Sequence, residues 1–208
     1  MKNKILLIHK IGLIDFIKID TQGYELPILK GAIKCLDHVI GLEIEVEFVP
    51  MYKNQPLFDE VDRFVREKGF ELFDIKRYYW KRGDSKNTGS QKGQLVFGDT
   101  LYFKSPEQVL LMDNNSQEKI VRSICIYLVY GYLDLAQSLL NNANYKGLLE
   151  KDIHDTMALV LSGHNKSSFS IPNFRGKGRI QYLFEKIGSI FSDSGWYSGT
   201  DRSLGNLP

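Results

Sequence analysis

The chain has 208 residues, 43% of them hydrophobic and 12% aromatic, which suits a folded soluble domain with room for a smaller second unit. Its 27 Lys and Arg nearly balance 25 Asp and Glu, and a formal charge of +2 makes no electrostatic case for nucleic acid or an anionic membrane. Cys35 and Cys125 are the only cysteines, too few for a disulfide framework, and no apolar run reaches the roughly 18 residues of a transmembrane span.

The start, MKNKILLIHKIGLIDF, has lysines and a short apolar run but no small-residue cleavage site. It reads as a weak signal peptide at most, and a cytoplasmic protein is expected. IDFIKI, Ile14 to Ile19, is a short strand of nearly continuous apolar character, as in a sheet covered on both faces. A helix follows TQG, with Pro27 in its first turn and Leu26, Leu29, Ile33 and Leu36 at helical spacing. Gly31 inside this helix costs about 1 kcal/mol against Ala, and close packing on the sheet would explain it. VIGLEIEVEFV, Val39 to Val49, is the second strand, ended by Pro50. NQPLFDEVDRFVREKG is the next helix, with Gly69 as its C-cap. FELFDIKRYYW is a third strand, a polar glycine-rich loop follows, and Gln94 to Lys104 is a fourth strand. This order predicts a parallel sheet with helices on its faces, the last two strands pairing antiparallel at one edge.

After SPEQ the pattern turns helical. Asn115 and Glu118 have capping-box spacing before a helix from Gln117 to Tyr130. Gly131 breaks it, and YLDLAQSLLNN and KDIHDTMALVLSG make two more helices. Cys35 and Cys125, both within apolar helical patterns, read as buried and reduced. Beyond Asn165, Gly and Ser are dense, with one helical island at Ile180 to Ile190 and a mobile end.

Three stretches carry candidate chemistry. Asp20 lies at the carboxyl end of the first strand, where open α/β sheets bind ligands, and Gly23 lets the backbone turn tightly. A carboxylate there can take a proton from a hydroxyl, orient a substrate or hold a cation; equally, Asp is a favoured helix N-cap. Glu25 could face the same crevice or simply complement the helix N-terminus. Glu43, Glu45 and Glu47 share one face of the second strand, an arrangement that is costly unless paired, hydrated or bound to a cation. Glu45 and Glu47 lie nearest the carboxyl edge and are the site candidates; a lysine partner or partial exposure is the plainer reading. KRYYWKR, Lys76 to Arg82, interleaves aromatics with charge and nominates Tyr79 for a sugar-like or anionic ligand, against the reading of a packed strand end. His9, His38, His154 and His164 show no metal spacing.

DFIKIDTQGYELPILKGA closely resembles the segment that marks FkbM-type methyltransferases, roughly K-I-D-x-x-G-x-E-x-x-x-L-x-G-A. Lys18, Ile19, Asp20, Gly23, Glu25, Leu29, Gly31 and Ala32 supply that pattern, and the likeness extends over about residues 14–104. The resemblance implies a Rossmann-like sheet, here its C-terminal half: a three-strand βαβαβ unit plus an antiparallel edge strand. It implies S-adenosylmethionine as cofactor and a hydroxyl of a sugar or natural product as methyl acceptor. On it, Asp20 is the base or orienting group, Glu25 supports it, and Gln22, Gly23, Glu45, Glu47 and Tyr79 line the substrate side. The glycine-rich cofactor loop of such folds is missing before Ile14, so the chain is expected to be truncated and inactive alone. A divalent cation shared by Asp20 with Glu45 or Glu47 stays open. The boundaries drawn are a partial methyltransferase domain over 1–104, a helical extension over 105–164 and a Gly/Ser-rich tail over 165–208. The exposed Ile14–Ile19 edge invites a complementing chain or self-association. The competing reading is a non-catalytic module whose helices bind a protein partner.

Overall fold

β1 (Phe16–Ile19) and β2 (Gly41–Glu47) run parallel, Phe16 opposite Gly41 and Ile19 opposite Ile44. Two short helices, α1 (Glu25–Gly31) and α2 (Ile33–Leu36), make the crossover between them. The computed structural model describes residues 14–82, 93–113, 115–164, 177–179, 182, 197–200 and 204–205; the N-terminal segment with His9, the polar loop at 83–92 and nearly all of the island at 180–190 lie outside these. α3 (Phe58–Glu67) leads into β3 (Glu71–Trp80), followed by β4 (Gln94–Phe103).

The chain is of the α/β class, but its sheet departs from the expected order. β4 is not an edge strand. It lies between β2 and β3 and is antiparallel to both, giving the order β1-β2-β4-β3-β5 with β5 at Tyr197–Thr200. Burial gives the physical reason. Leu101, Tyr102 and Phe103 of β4 are wholly buried and suit a central position covered on both faces, whereas β3 carries Asp74, Lys76 and Arg77 and is half-exposed along most of its length. Within the segment expected to be a mobile tail, Tyr197–Thr200 forms β5 and pairs with β3.

Alternation along the strands divides the residues between two cores. On one face Ile19, Leu42, Ile44, Val46 and Tyr102 pack with Leu26 and Leu29 of α1 and Val61 and Val65 of α3. On the other, Leu101 and Phe103 pack with α4 (Pro106–Leu110), α5 (Gln117–Val129), α6 (Leu133–Tyr145) and α7 (Lys151–His164). Phe103 is the hub of that second core: its ring lies 5.3 Å from Tyr127, 5.6 Å from Tyr132 and 5.4 Å from Phe73, all edge-on.

Buried ammonium groups tie the helices down. Lys119 of α5 pairs with Asp15 at 2.5 Å and donates to the His38 carbonyl; Lys104 donates to the carbonyls of Leu36 at 2.8 Å and Asp37 at 3.0 Å. Together they satisfy the carbonyls that the end of α2 leaves open. Three local expectations need correcting. Ser116, not Asn115, caps α5 by accepting from the Lys119 amide; Asn115 donates to the Leu110 carbonyl instead. Neither cysteine is buried as expected: Cys35 is half-buried, and Cys125 is exposed because it falls on the outer side of α5. A Cβ on Gly31 would meet nothing within 4 Å, so close packing does not account for that glycine. No helix among the described residues is long and apolar enough to cross a membrane.

Candidate active site

At the carboxyl end of β1 the chain reverses through Asp20–Tyr24. The reversal uses two consecutive left-handed residues, Gln22 at φ 56° and Gly23 at φ 93°. Glu25 holds the turn in place. Its Oε1 accepts from the Thr21 amide and hydroxyl, both at 2.9 Å, and from the Gly23 amide at 3.2 Å. Glu25 is therefore buried with its charge well solvated by donors, and it acts on the loop rather than standing free in the crevice. The N-cap residue of α1 is Tyr24, which makes no side-chain cap, so Asp20 is not spent on capping.

Gln22 is the centre of the arrangement. Its amide donates to Asp20 Oδ1 at 3.2 Å and to Glu45 Oε1 at 2.9 Å, bridging the ends of β1 and β2. Its carbonyl oxygen accepts from the Tyr52 hydroxyl at 3.3 Å. Gln55 fixes the segment after Pro50: its Oε1 accepts from the amides of Met51 at 2.9 Å and Tyr52 at 3.0 Å. The same side chain lies under Gly23, where an added Cβ would come within 2.9 Å of Gln55 Nε2.

The three glutamates of β2 have different surroundings. Glu43 has the lysine partner that the plainer reading supposed: Lys18 at 2.5 Å, with the Tyr130 hydroxyl at 2.7 Å on its other oxygen. Glu45 faces Asp99 directly across β4, and Asp99 accepts from the Tyr78 hydroxyl at 2.8 Å. Burial, then the charges of Asp20, Glu47 and Asp99, push the Glu45 carboxyl up to about 7. Glu47 is only 1% exposed, and its Oε1 completes no hydrogen bond. Burial, then the charge of Glu25, push it up to about 7 as well, with Gln55 near enough to oppose part of that rise. The Gln55 Nε2 is likewise enclosed and completes no hydrogen bond.

Asp20, Gln22, Gly23, Glu25 and Glu45 thus meet in one place, with Glu47 one step further along the same strand face. Tyr79 is separated from the group by a register shift and pairs with Leu95; Tyr78 is the β3 aromatic that reaches Asp99. Four participants were not nominated from the sequence, although Tyr78 lies in the KRYYWKR stretch. Tyr52 and Gln55 sit in a connection, and Asp99 and Tyr78 reach the row only because β4 is inserted beside β2. Among the described residues, no three His, Cys, Asp or Glu converge as a metal site.

The arrangement can bind and deprotonate a hydroxyl: Asp20 is exposed at the crevice lip, and Glu45 stands beside it with a raised proton affinity. Backbone amides that could cradle an anion, those of Thr21 and Gly23, are already filled by Glu25. No curated protein and no solved structure gave a significant match. The family model described as the methyltransferase FkbM domain matches residues 4–72, a span that contains β1, the Gln22–Gly23 turn and all of β2. Over that span the chain is similar to part of an FkbM-type methyltransferase domain.

Proposed function

We propose that this chain supplies the acceptor-binding side of an O-methyltransferase acting on a hydroxyl of a sugar-like or natural-product-like molecule. The observation that carries the reading is the Gln22 amide bridging Asp20 and Glu45 at the carboxyl ends of two parallel strands, within the segment that matches the family. Ligands of open α/β sheets bind at such ends.

Asp20 takes the proton of the acceptor hydroxyl or orients it, with Glu45 as a second acceptor. Gln22 sets the spacing of the two carboxylates, and Glu25 fixes the turn that presents them. Glu47 and the β3 aromatic Tyr78, whose hydroxyl reaches Asp99, line the substrate side. Holding a hydroxyl at fixed distance from an electrophile is the main contribution a protein makes to such a transfer.

S-adenosylmethionine, when bound to a methyltransferase, supplies the electrophilic methyl group. The described residues do not fit its anionic end, because the amides of the turn are committed to Glu25. Contacts to that end come from another chain, and the β1 edge, paired only with β2 among the described residues, is where a further strand would join. Isothermal titration of the purified chain with S-adenosylmethionine is expected to show no micromolar binding; such binding would refute this part of the reading. With the completed enzyme, transfer of labelled methyl to a panel of hydroxylated sugars is expected to fall about a hundredfold in Asp20→Asn. An unchanged rate in that variant would remove Asp20 from the chemistry.

A further inference from the structure

At the far end of the sheet from the crevice, where β4 ends beside the start of β3, the surface holds a cavity of about 210 Å³. Lys68 and Gly69 of the α3–β3 turn form one wall, Lys104 after β4 forms another, and Gln108, Leu111 and Met112 of α4 and its end close the third. Two ammonium groups border this space, and neither forms an ion pair with a described carboxylate. Lys104 is only 6% exposed. It donates to the Leu36 and Asp37 carbonyls, which leaves one of its three N–H donors without an oxygen. The Phe70 ring, 4.9 Å away, is a weaker partner than an anion. Burial pulls the Lys104 pKa down to about 8, with Asp37 opposing that fall and the like charge of Lys119 adding to it. Lys68 lies 5.6 Å from the centre of the Phe64 ring. Gln108 supplies an independent sign. Its amide lies against Gly69, and its enclosed Oε1 completes no hydrogen bond, so the side chain can turn towards a ligand without giving one up.

We infer that this cavity binds the carboxylate of a small organic acid with a short apolar body. The carboxylate takes the free donor of Lys104 and the ammonium of Lys68, and the Gln108 amide turns to meet it. The apolar body covers Met112 and Leu111, a leucine that is 77% exposed without it. An inorganic anion would meet the ammonium groups and leave that apolar side bare. A hydrocarbon would cover the apolar side and leave the buried charge of Lys104 with no anion. The space is smaller than the roughly 300–1,000 Å³ of sites for drug-sized ligands, so the occupant is compact. The site lies apart from the acidic crevice, and neither reading depends on the other.

The test uses the full chain labelled at its methionine methyl groups, with the Met112 resonance assigned through Met112→Leu. Isocaproate, its neutral analogue isocaproamide and inorganic phosphate are titrated separately at about pH 7, where Lys104 carries its charge. Isocaproate is expected to move the Met112 resonance saturably and to bind at least about tenfold tighter than either of the others. The preference for the acid over the amide should shrink to about threefold in Lys68→Gln, a substitution on a half-buried turn. It should vanish in Lys104→Met; where circular dichroism shows that variant unfolded, Lys68→Gln decides. Equal binding of acid and amide, a Met112 resonance that none of the probes moves, or an undiminished preference in Lys68→Gln would overturn the inference. Phosphate binding as tightly as isocaproate would overturn it too, since the cavity would then hold an adventitious ion only.

Discussion

The molecule buries charge in two places and treats it in opposite ways. Where α5 meets the start of the sheet, Lys119 and Lys104 are almost fully enclosed, and each has defined partners: Asp15 and the His38 carbonyl for one, the Leu36 and Asp37 carbonyls for the other. At the opposite end of the same sheet, Glu45 and Glu47 are enclosed beside other carboxylates, and Glu47 Oε1 completes no hydrogen bond although Gln55 lies near. Satisfied buried charge is architecture, since removing either partner exposes the cost of the other. Unsatisfied buried charge of one sign is costly to the fold, and it is retained where a ligand completes it. Breaking each kind should therefore change stability in opposite directions.

The largest effect is expected from removing the helices. Ending the chain after Lys104 strips the cover from Leu101 and Phe103 and deletes the Lys119–Asp15 pair. Such a fragment is expected to lose cooperative unfolding in urea altogether, and a sharp transition with native-like circular dichroism would show that the α/β part folds alone. Next comes Lys119→Ala. It leaves Asp15 to Arg122 alone and the His38 carbonyl without its donor, and should cost about 3 kcal/mol of unfolding free energy by urea titration. A loss below about 1 kcal/mol would mean that the pair only offsets its own desolvation.

The acidic end should behave the other way. The carboxyls of Glu45 and Glu47 rise from 4.5 to about 7 on folding. Between those values the folded chain binds more protons than the unfolded chain, so these groups favour folding below about pH 4.5 and the advantage is lost as pH rises through 7. Glu45→Gln with Glu47→Gln is therefore expected to stabilise the protein by about 2 kcal/mol at pH 8 and by little near pH 4.5. Thermal unfolding at the two pH values reads this directly; equal effects at both would deny that the carboxylates are strained.

The legibility of these two regions in the sequence also differs, for physical reasons. The strand–turn–helix at Ile17 to Gly31 is readable because the contacts that tie the turn to the helix are local: Glu25 reaches back only to Thr21 and Gly23. The alternation of Glu43, Glu45 and Glu47 placed them on one face, since period two follows from the strand itself. Their separate fates were not readable. Glu43 is neutralised by Lys18 and met by Tyr130, while Glu45 faces Asp99, and these assignments depend on which strand lies beside β2. A hairpin signal between β3 and β4 says that they pair; it does not say which of them turns its other edge to β2. The choice falls to β4 because Leu101, Tyr102 and Phe103 need cover on both faces, a tertiary demand. Ser116 and Asn115 are both good caps one residue apart, so the local sequence does not separate them; Asn115 finds the Leu110 carbonyl instead.

The smallest effects test the turn that joins architecture to site. Gly23 sits at φ 93°, and a Cβ there would press on Gln55 Nε2 at 2.9 Å. Because the Gln55 side chain can swing, Gly23→Ala should cost only about 1 kcal/mol, most of it from the backbone conformation. The displacement matters more to the crevice than to the fold. Gln55 holds the amides of Met51 and Tyr52, and Tyr52 in turn anchors Gln22, the bridge between Asp20 and Glu45. Gly31→Ala is the matched control: the site is open, φ is unremarkable, and the change lies at a helix end. It should stabilise by about 0.5 kcal/mol and leave ligand binding untouched. If Gly23→Ala weakens binding of the hydroxylated acceptor while Gly31→Ala does not, the turn is shown to set the geometry of the acidic crevice. Equal binding in both would confine Gly23 to a backbone role and detach the Gln55–Tyr52–Gln22 chain from function.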